Sequence, residues 1–179
     1  MLSLNGVKKR FVCYQKIDEE ELSVGKSIYP GRFTADNQED IVVFMIGMRV
    51  NQWWAVHKWL PVFLAMPPMM RELAKNKELG CLSMESFSGL RTTYLLQYWR
   101  SEKDLFTYAR GDLHLPAWKS FNKRARNNSA VGFYHETYVV PKGSSEAIYV
   151  NMPRFGLANA TFHISVDSKL DTAEQRLRR

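Results

Sequence analysis

The chain has 179 residues, a formal charge of +7, 45% hydrophobic and 13% aromatic residues. That length suits one domain with a substantial core, and that apolar content excludes a largely disordered chain. The basic residues fall in small clusters, Lys8-Lys9-Arg10, Lys119 to Arg126 and Arg176 to Arg179, with no nucleic-acid motif beside them; solvated flanks and tails are expected, not a nucleic-acid partner.

Residues 1–30 are mixed and charged and read as an N-terminal arm, without the apolar stretch of a signal peptide. No apolar run reaches membrane-spanning length, because Trp59 to Met70 is broken by Pro61, Pro67 and Pro68, so no membrane partner is expected. Cys13 and Cys81 are isolated thiols that make neither a disulfide framework nor a metal knuckle, and a cytoplasmic location is the default.

After the turn-like Pro30-Gly31-Arg32, Ile41 to Val50 is a short, apolar, partly β-branched run that predicts a strand covered on both faces. Trp53 to Asn76 carries apolar residues at three- and four-residue steps and predicts a helix, bent or interrupted at Pro67-Pro68. Leu79 to Phe87 and Thr92 to Trp99 predict an antiparallel pair turning at Ser88-Gly89-Leu90-Arg91. Ser101 is placed to cap a second helix that bends between Gly111 and Pro116 and ends near Arg126. Val131 to Val140 predicts a last long strand, Glu146 to Asn151 a short extra one, and the stretch after Gly156 reads as fading into a tail. The expected boundaries are an arm over 1–30, a domain over 31–160 and a tail over 161–179.

Strand, helix, strand, strand, helix, strand is the ferredoxin-like βαββαβ order of an α+β fold, with both helices on one face of an antiparallel sheet. The other face is left bare, and the last strand is apolar or aromatic on both sides. A second copy of the chain, making a homodimer, is the simplest cover.

His114 lies at the bend of the second helix, where its imidazole can leave the packed face and enter a cavity. Three readings stay open for it: a haem iron ligand, a catalytic base, or a histidine bonded to a backbone carbonyl. His57 shares an apolar helix face with Leu60 and Leu64, where a core role is commoner than a catalytic one. His135 alternates with Phe133 and Thr137 and faces either a pocket or a dimer seam. His163 falls in the expected tail. No histidine pair has the spacing of a metal cage, so haem iron is the only metal considered. Arg49 and Arg91 are candidates for holding a carboxylate or a haem propionate. Tyr98, Trp99, Trp118 and Tyr138 are candidates for lining a substrate pocket.

Gly47-Met48-Arg49-Val50-Asn51, Lys58 to Phe63, Gln97 to Ser101, His114 to Trp118 and His135 to Tyr138, in this order, resemble a monooxygenase-like, aldoxime-dehydratase-like bacterial family. That family lies within the dimeric α+β-barrel superfamily of antibiotic-biosynthesis-type monooxygenases. The resemblance covers about residues 30–160 and implies an apolar pocket between sheet and helices in each protomer. It implies cofactor-free oxygenation, haem chemistry, or haem-dependent aldoxime dehydration, acting on a small hydrophobic or aromatic molecule. In the haem-bound case it puts His114 on the iron; in the cofactor-free case His114 is the base. Asn151 to Leu157 resembles a further family segment and suits a loop over the pocket mouth. A non-catalytic homodimer that binds a hydrophobic small molecule is the alternative from another class.

Overall fold

The computed structural model describes residues 27–125 and 128–178. The arm expected over 1–30 therefore lies almost wholly outside the described residues, with Cys13 and the Lys8-Lys9-Arg10 cluster.

A four-stranded antiparallel sheet carries the fold, in the order β3 (Cys81–Ser88), β4 (Thr92–Trp99), β2 (Ile41–Val50), β5 (Val131–Val140). Helix α1 (Val56–Lys75) joins β2 to β3, and α2 (Glu102–Ala109) and α3 (His114–Ala125) join β4 to β5. This is the ferredoxin-like α+β arrangement predicted from the periodicity. The expected second helix is two helices, because the chain unwinds between Arg110 and Leu113 and restarts at His114. Pro116 sits in the first turn of α3, where its missing N–H is no loss.

Helix α1 runs unbroken through Pro61 and also through Pro67 and Pro68, where a bend or interruption was expected. A proline deprives the carbonyl four residues earlier of its donor, and for Pro67 and Pro68 those carbonyls belong to Phe63 and Leu64. Both residues are exposed, so water can replace the missing donor. Ser101 caps α2 as expected, its hydroxyl accepting from the Asp104 amide at 3.1 Å.

Alternation sorts the sheet residues. Val42, Phe44, Met48 and Val50 meet the helices, in one cluster with Leu73, Trp99, Leu105 and Tyr108 and another with Val131, Trp59 and Val62. Ile41 and Val43 face the other way.

That other face is not bare. Strand β1 (Tyr29–Asp36) pairs with β6 (Tyr149–Met152) and β7 (Phe162–Ser165) in a second sheet. Ala35, Leu157 and Ala158, with Tyr149, then cover Ile41, Val43, Tyr98 and Val140. The chain thus supplies part of the cover that was expected from a second copy. Gly31, at φ 97°, sits where the β1–β6 register shifts, a backbone state that a side chain would strain.

Residues after Gly156 do not fade into a tail. Helix α4 (Leu157–Ala160), β7 and α5 (Ala173–Leu177) follow one another. Arg176, expected in a solvated basic cluster, is 5% exposed; it pairs with Glu146 at 2.5 Å and donates to the carbonyls of Leu170 and Asp171. An arginine leaves water only where its donors find such acceptors.

Candidate functional site

The helix side of the sheet changes character along β5. Val131 is buried against Met48 and Val50, whereas His135, Thr137 and Val139, on the same side of the strand, are exposed. Beside this uncovered strip runs α3, on which His114, Trp118 and Phe121 recur at helical spacing on one face. Trp118 and Phe121 stack on each other and meet Phe133 at 5.4 and 4.9 Å between ring centroids. Phe133 in turn lies 6.2 Å from the His135 ring, and Phe44 lies 5.8 Å from it. The result is an aromatic wall with a histidine on each of the two elements that form it.

His114 packs on Tyr108 at 5.5 Å, and its Nδ1–H donates to the Ala109 carbonyl at 3.0 Å. That bond fixes the ring and the tautomer and leaves Nε2 with its lone pair. The backbone-bonded reading and the iron-ligand reading of His114 are therefore compatible, since ligand histidines are commonly held this way.

Phe133 also walls a cavity of about 110 Å³ between α1 and the sheet. Val62, Phe63, Met66 and Met70 close it from the helix; Ile46, Met48 and Leu95 floor it. Its polar groups are the hydroxyls of Ser86, Ser88 and Thr93, at the β3 edge. Of the twenty residues of α1 only Leu73 is buried, so the helix rests lightly on this part of the sheet.

The remaining predicted residues disperse. Trp99 is fully buried, with its indole N–H donating to Gln97 Oε1 at 3.0 Å, and is core. Tyr98 points to the opposite face, beneath α4, where burial raises its hydroxyl to about 12. Adjacent strand residues cannot share a face, so these two cannot line one pocket. Tyr138 is half exposed on the outer face and donates to Glu136. Arg49 is exposed on that outer face too, opposite the helices. Arg91 donates to the Asn51 carbonyl at 3.3 Å, at the Val50 end of β2. His114 belongs to the other end, through Tyr108 and its cluster with Val42. His57 is exposed in the first turn of α1. Among the described residues no cluster of three or more metal-ligating side chains occurs, and no helix is long and apolar enough to cross a membrane.

Sequence reasoning missed the cavity residues on α1 and the three hydroxyls. Their signal was present, since Ser86 and Ser88 alternate on one face of β3, but Ser88 read as the first residue of the turn. It also passed over His163, which stacks on Phe33 at 4.5 Å and meets Tyr29 at 4.8 Å.

Comparison with known proteins agrees with the topology. A protein named Monooxygenase af470 from Aspergillus fumigatus is 26% identical over 75% of this chain and 50% of its own length. A crystal structure of an aldoxime dehydratase in complex with butyraldoxime superposes with a TM-score of 0.62 at 19% identity, over 80% of this chain and 43% of that one. A second aldoxime dehydratase structure gives a TM-score of 0.62 at 20% identity, over 81% and 44% of the two chains. At that identity the likeness is one of fold, and the chain spans about half the length of these relatives. Residues 41–157, which hold the sheet, its helices, the aromatic wall and the cavity, match a family as a whole: the chain belongs to the Monooxygenase af470-like family.

Proposed function

We propose that this chain is a monooxygenase-like oxidoreductase that acts on a small hydrophobic or aromatic molecule held between α1 and the sheet. The observation that carries this reading is the shared wall: Phe133 closes the cavity on one side and meets the His135 ring on the other. A substrate in the cavity is thereby one ring away from an imidazole that is open to solvent for proton exchange. With the Phe133 ring turned aside, His135 is the general base, taking a proton from the end of the substrate nearest β5 and leaving an anion able to give electrons to dioxygen. The apolar lining of Met66, Met70, Val62 and Leu95 keeps water from the anion and orients it by shape.

The uncovered strip suits haem in its donor and its wall. His114 Nε2 would take the iron, with Trp118, Phe121 and Phe133 against the porphyrin, and haem bound there would supply a redox-active metal for oxygenase or lyase chemistry. The cavity of about 110 Å³ beneath α1 is small for such a group, so the open strip beside α3 is the part that would receive it. Titrating haem into the protein and recording the Soret band, in wild type and His114→Ala, tests this point. A band that is lost or shifted in the variant supports haem on His114; no band in either protein leaves His135 chemistry without a cofactor.

The reading as an enzyme is tested by dioxygen uptake with small aromatic compounds in wild type and His135→Ala. Uptake abolished by the substitution supports it. Ligand binding with no uptake supports the non-catalytic binder instead. The reading also takes the chain as a homodimer in the cytoplasm: Tyr138 and the outer end of β5 stay uncovered by the chain's own second sheet, and a second copy would bury them. Sedimentation at equilibrium checks this.

A further inference from the structure

We infer that the α1 cavity takes a compact ligand, one small ring or a short chain, apolar in its body and carrying an O–H or N–H donor at the end that meets β3. This rests on taking the cavity as the substrate's site. Size follows from volume: an apolar protein cavity of roughly 150 Å³ admits one benzene, and here about 110 Å³ lies beneath α1 in a cavity that is partly open to solvent and bordered by the edge strand β3, so a ring is seated with its head group left toward that edge. One ring or a short chain fills it, and a fused pair of rings does not.

The head group follows from counting hydrogens at the mouth. The Thr93 hydroxyl has one proton, and it goes to the Phe87 carbonyl at 3.1 Å. Ser88 Oγ lies 3.1 Å from Thr93 Oγ1, and with the Thr93 proton committed, Ser88 must be the donor in that pair. Ser88 therefore offers the cavity only lone pairs. A ligand satisfies them with an alcohol, phenol, oxime or amide donor, whereas an ether, ester or bare hydrocarbon gains nothing from them and leaves them to water. Ser86, two residues earlier on the same face of an exposed edge strand, supplies the complementary donor. A group that both gives and receives, such as a hydroxyl, meets both serines.

The test is calorimetric titration of the whole chain with phenol, toluene and 2-naphthol, in wild type, Ser88→Ala and Met66→Trp. Wild type should bind phenol about threefold to tenfold more tightly than toluene, the worth of one or two net hydrogen bonds. Ser88→Ala should remove most of that preference without changing toluene affinity, a pattern that a general loss of structure would not give. Met66→Trp should block both, and 2-naphthol should bind weakly or not at all. Equal affinity for phenol and toluene in wild type, or a preference that survives Ser88→Ala, would overturn the donor requirement while leaving the cavity as the site. No binding of either probe would overturn the inference and the location of the substrate together.

Discussion

The two faces of the four-stranded sheet are packed by different means. Behind it, the second sheet and α4 bring polar groups into the interior and pair several of them: Glu85, 8% exposed, accepts from the Gly156 amide at 3.1 Å, and Thr34 Oγ1 donates to the Ala147 carbonyl at 2.8 Å, whereas Arg154 Nε and His163 Nε2 are buried there without a hydrogen-bond partner. In front, α1 touches the sheet through half-buried methionines and aromatics and leaves a cavity. Satisfied buried polar networks fix a single arrangement, whereas methionine-rich contacts adapt. The comparison teaches that the rear layer is held by specific polar pairs, whereas the front layer rests on adaptable apolar contacts around a cavity.

Substitutions can break that contrast or sharpen it. Trp99→Ala, which empties the tightest part of the front core, should cost about 3–5 kcal/mol in chemical denaturation. Arg176→Ala in the rear layer should cost about 2–3 kcal/mol, because Glu146 and two carbonyls lose charged donors. Met66→Ala, on the wall of the front cavity, should cost less than about 1 kcal/mol, since the site already lacks full packing. A large loss there would mean that α1 is as rigidly seated as the rear sheet.

The smallest effect is one of pH. Burial, and then the nearby Arg154 charge, hold the His163 imidazole below its ordinary value of 6.5. The unfolded chain then binds the proton more readily, so the stability contributed by neutral His163 is full above about pH 6.5 and falls as pH drops from there toward the lower folded value. Thermal midpoints from pH 7.5 to 5 should decline less steeply in His163→Phe than in wild type. Parallel declines would remove His163 from the account.

The front of the molecule was largely legible in the sequence, because its elements are long and periodic: Ile41 to Val50 and Val131 to Val140 stand as strands over the boundaries that apolar runs predict. The rear was legible only in part: the short extra strand expected over Glu146 to Asn151 overlaps Tyr149–Met152, but Phe162–Ser165, four residues long, is too short for a period to declare itself, and both pair with a strand more than a hundred residues earlier whose Pro30 and Gly31 read as a turn. The histidines followed the same divide. The bend at His114 is written in Gly111 and Pro116, yet the Ala109 carbonyl that fixes its ring depends on the unwound turn between α2 and α3. Alternation along β5 assigns His135 a face, and the lack of a helix over that face is a property of packing. Tyr98 and Trp99 could have been separated from alternation alone.

The front-face site is tested most directly by methyl NMR of the methionines during a phenol titration. Met48, Met66 and Met70 line the cavity, whereas Met45 lies on the opposite face of β2 and Met152 in the rear sheet. The account predicts saturable shifts at Met48, Met66 and Met70 with Met45 and Met152 unmoved. Shifts concentrated at Met45 or Met152, or no saturable shift at the cavity methionines, would contradict it.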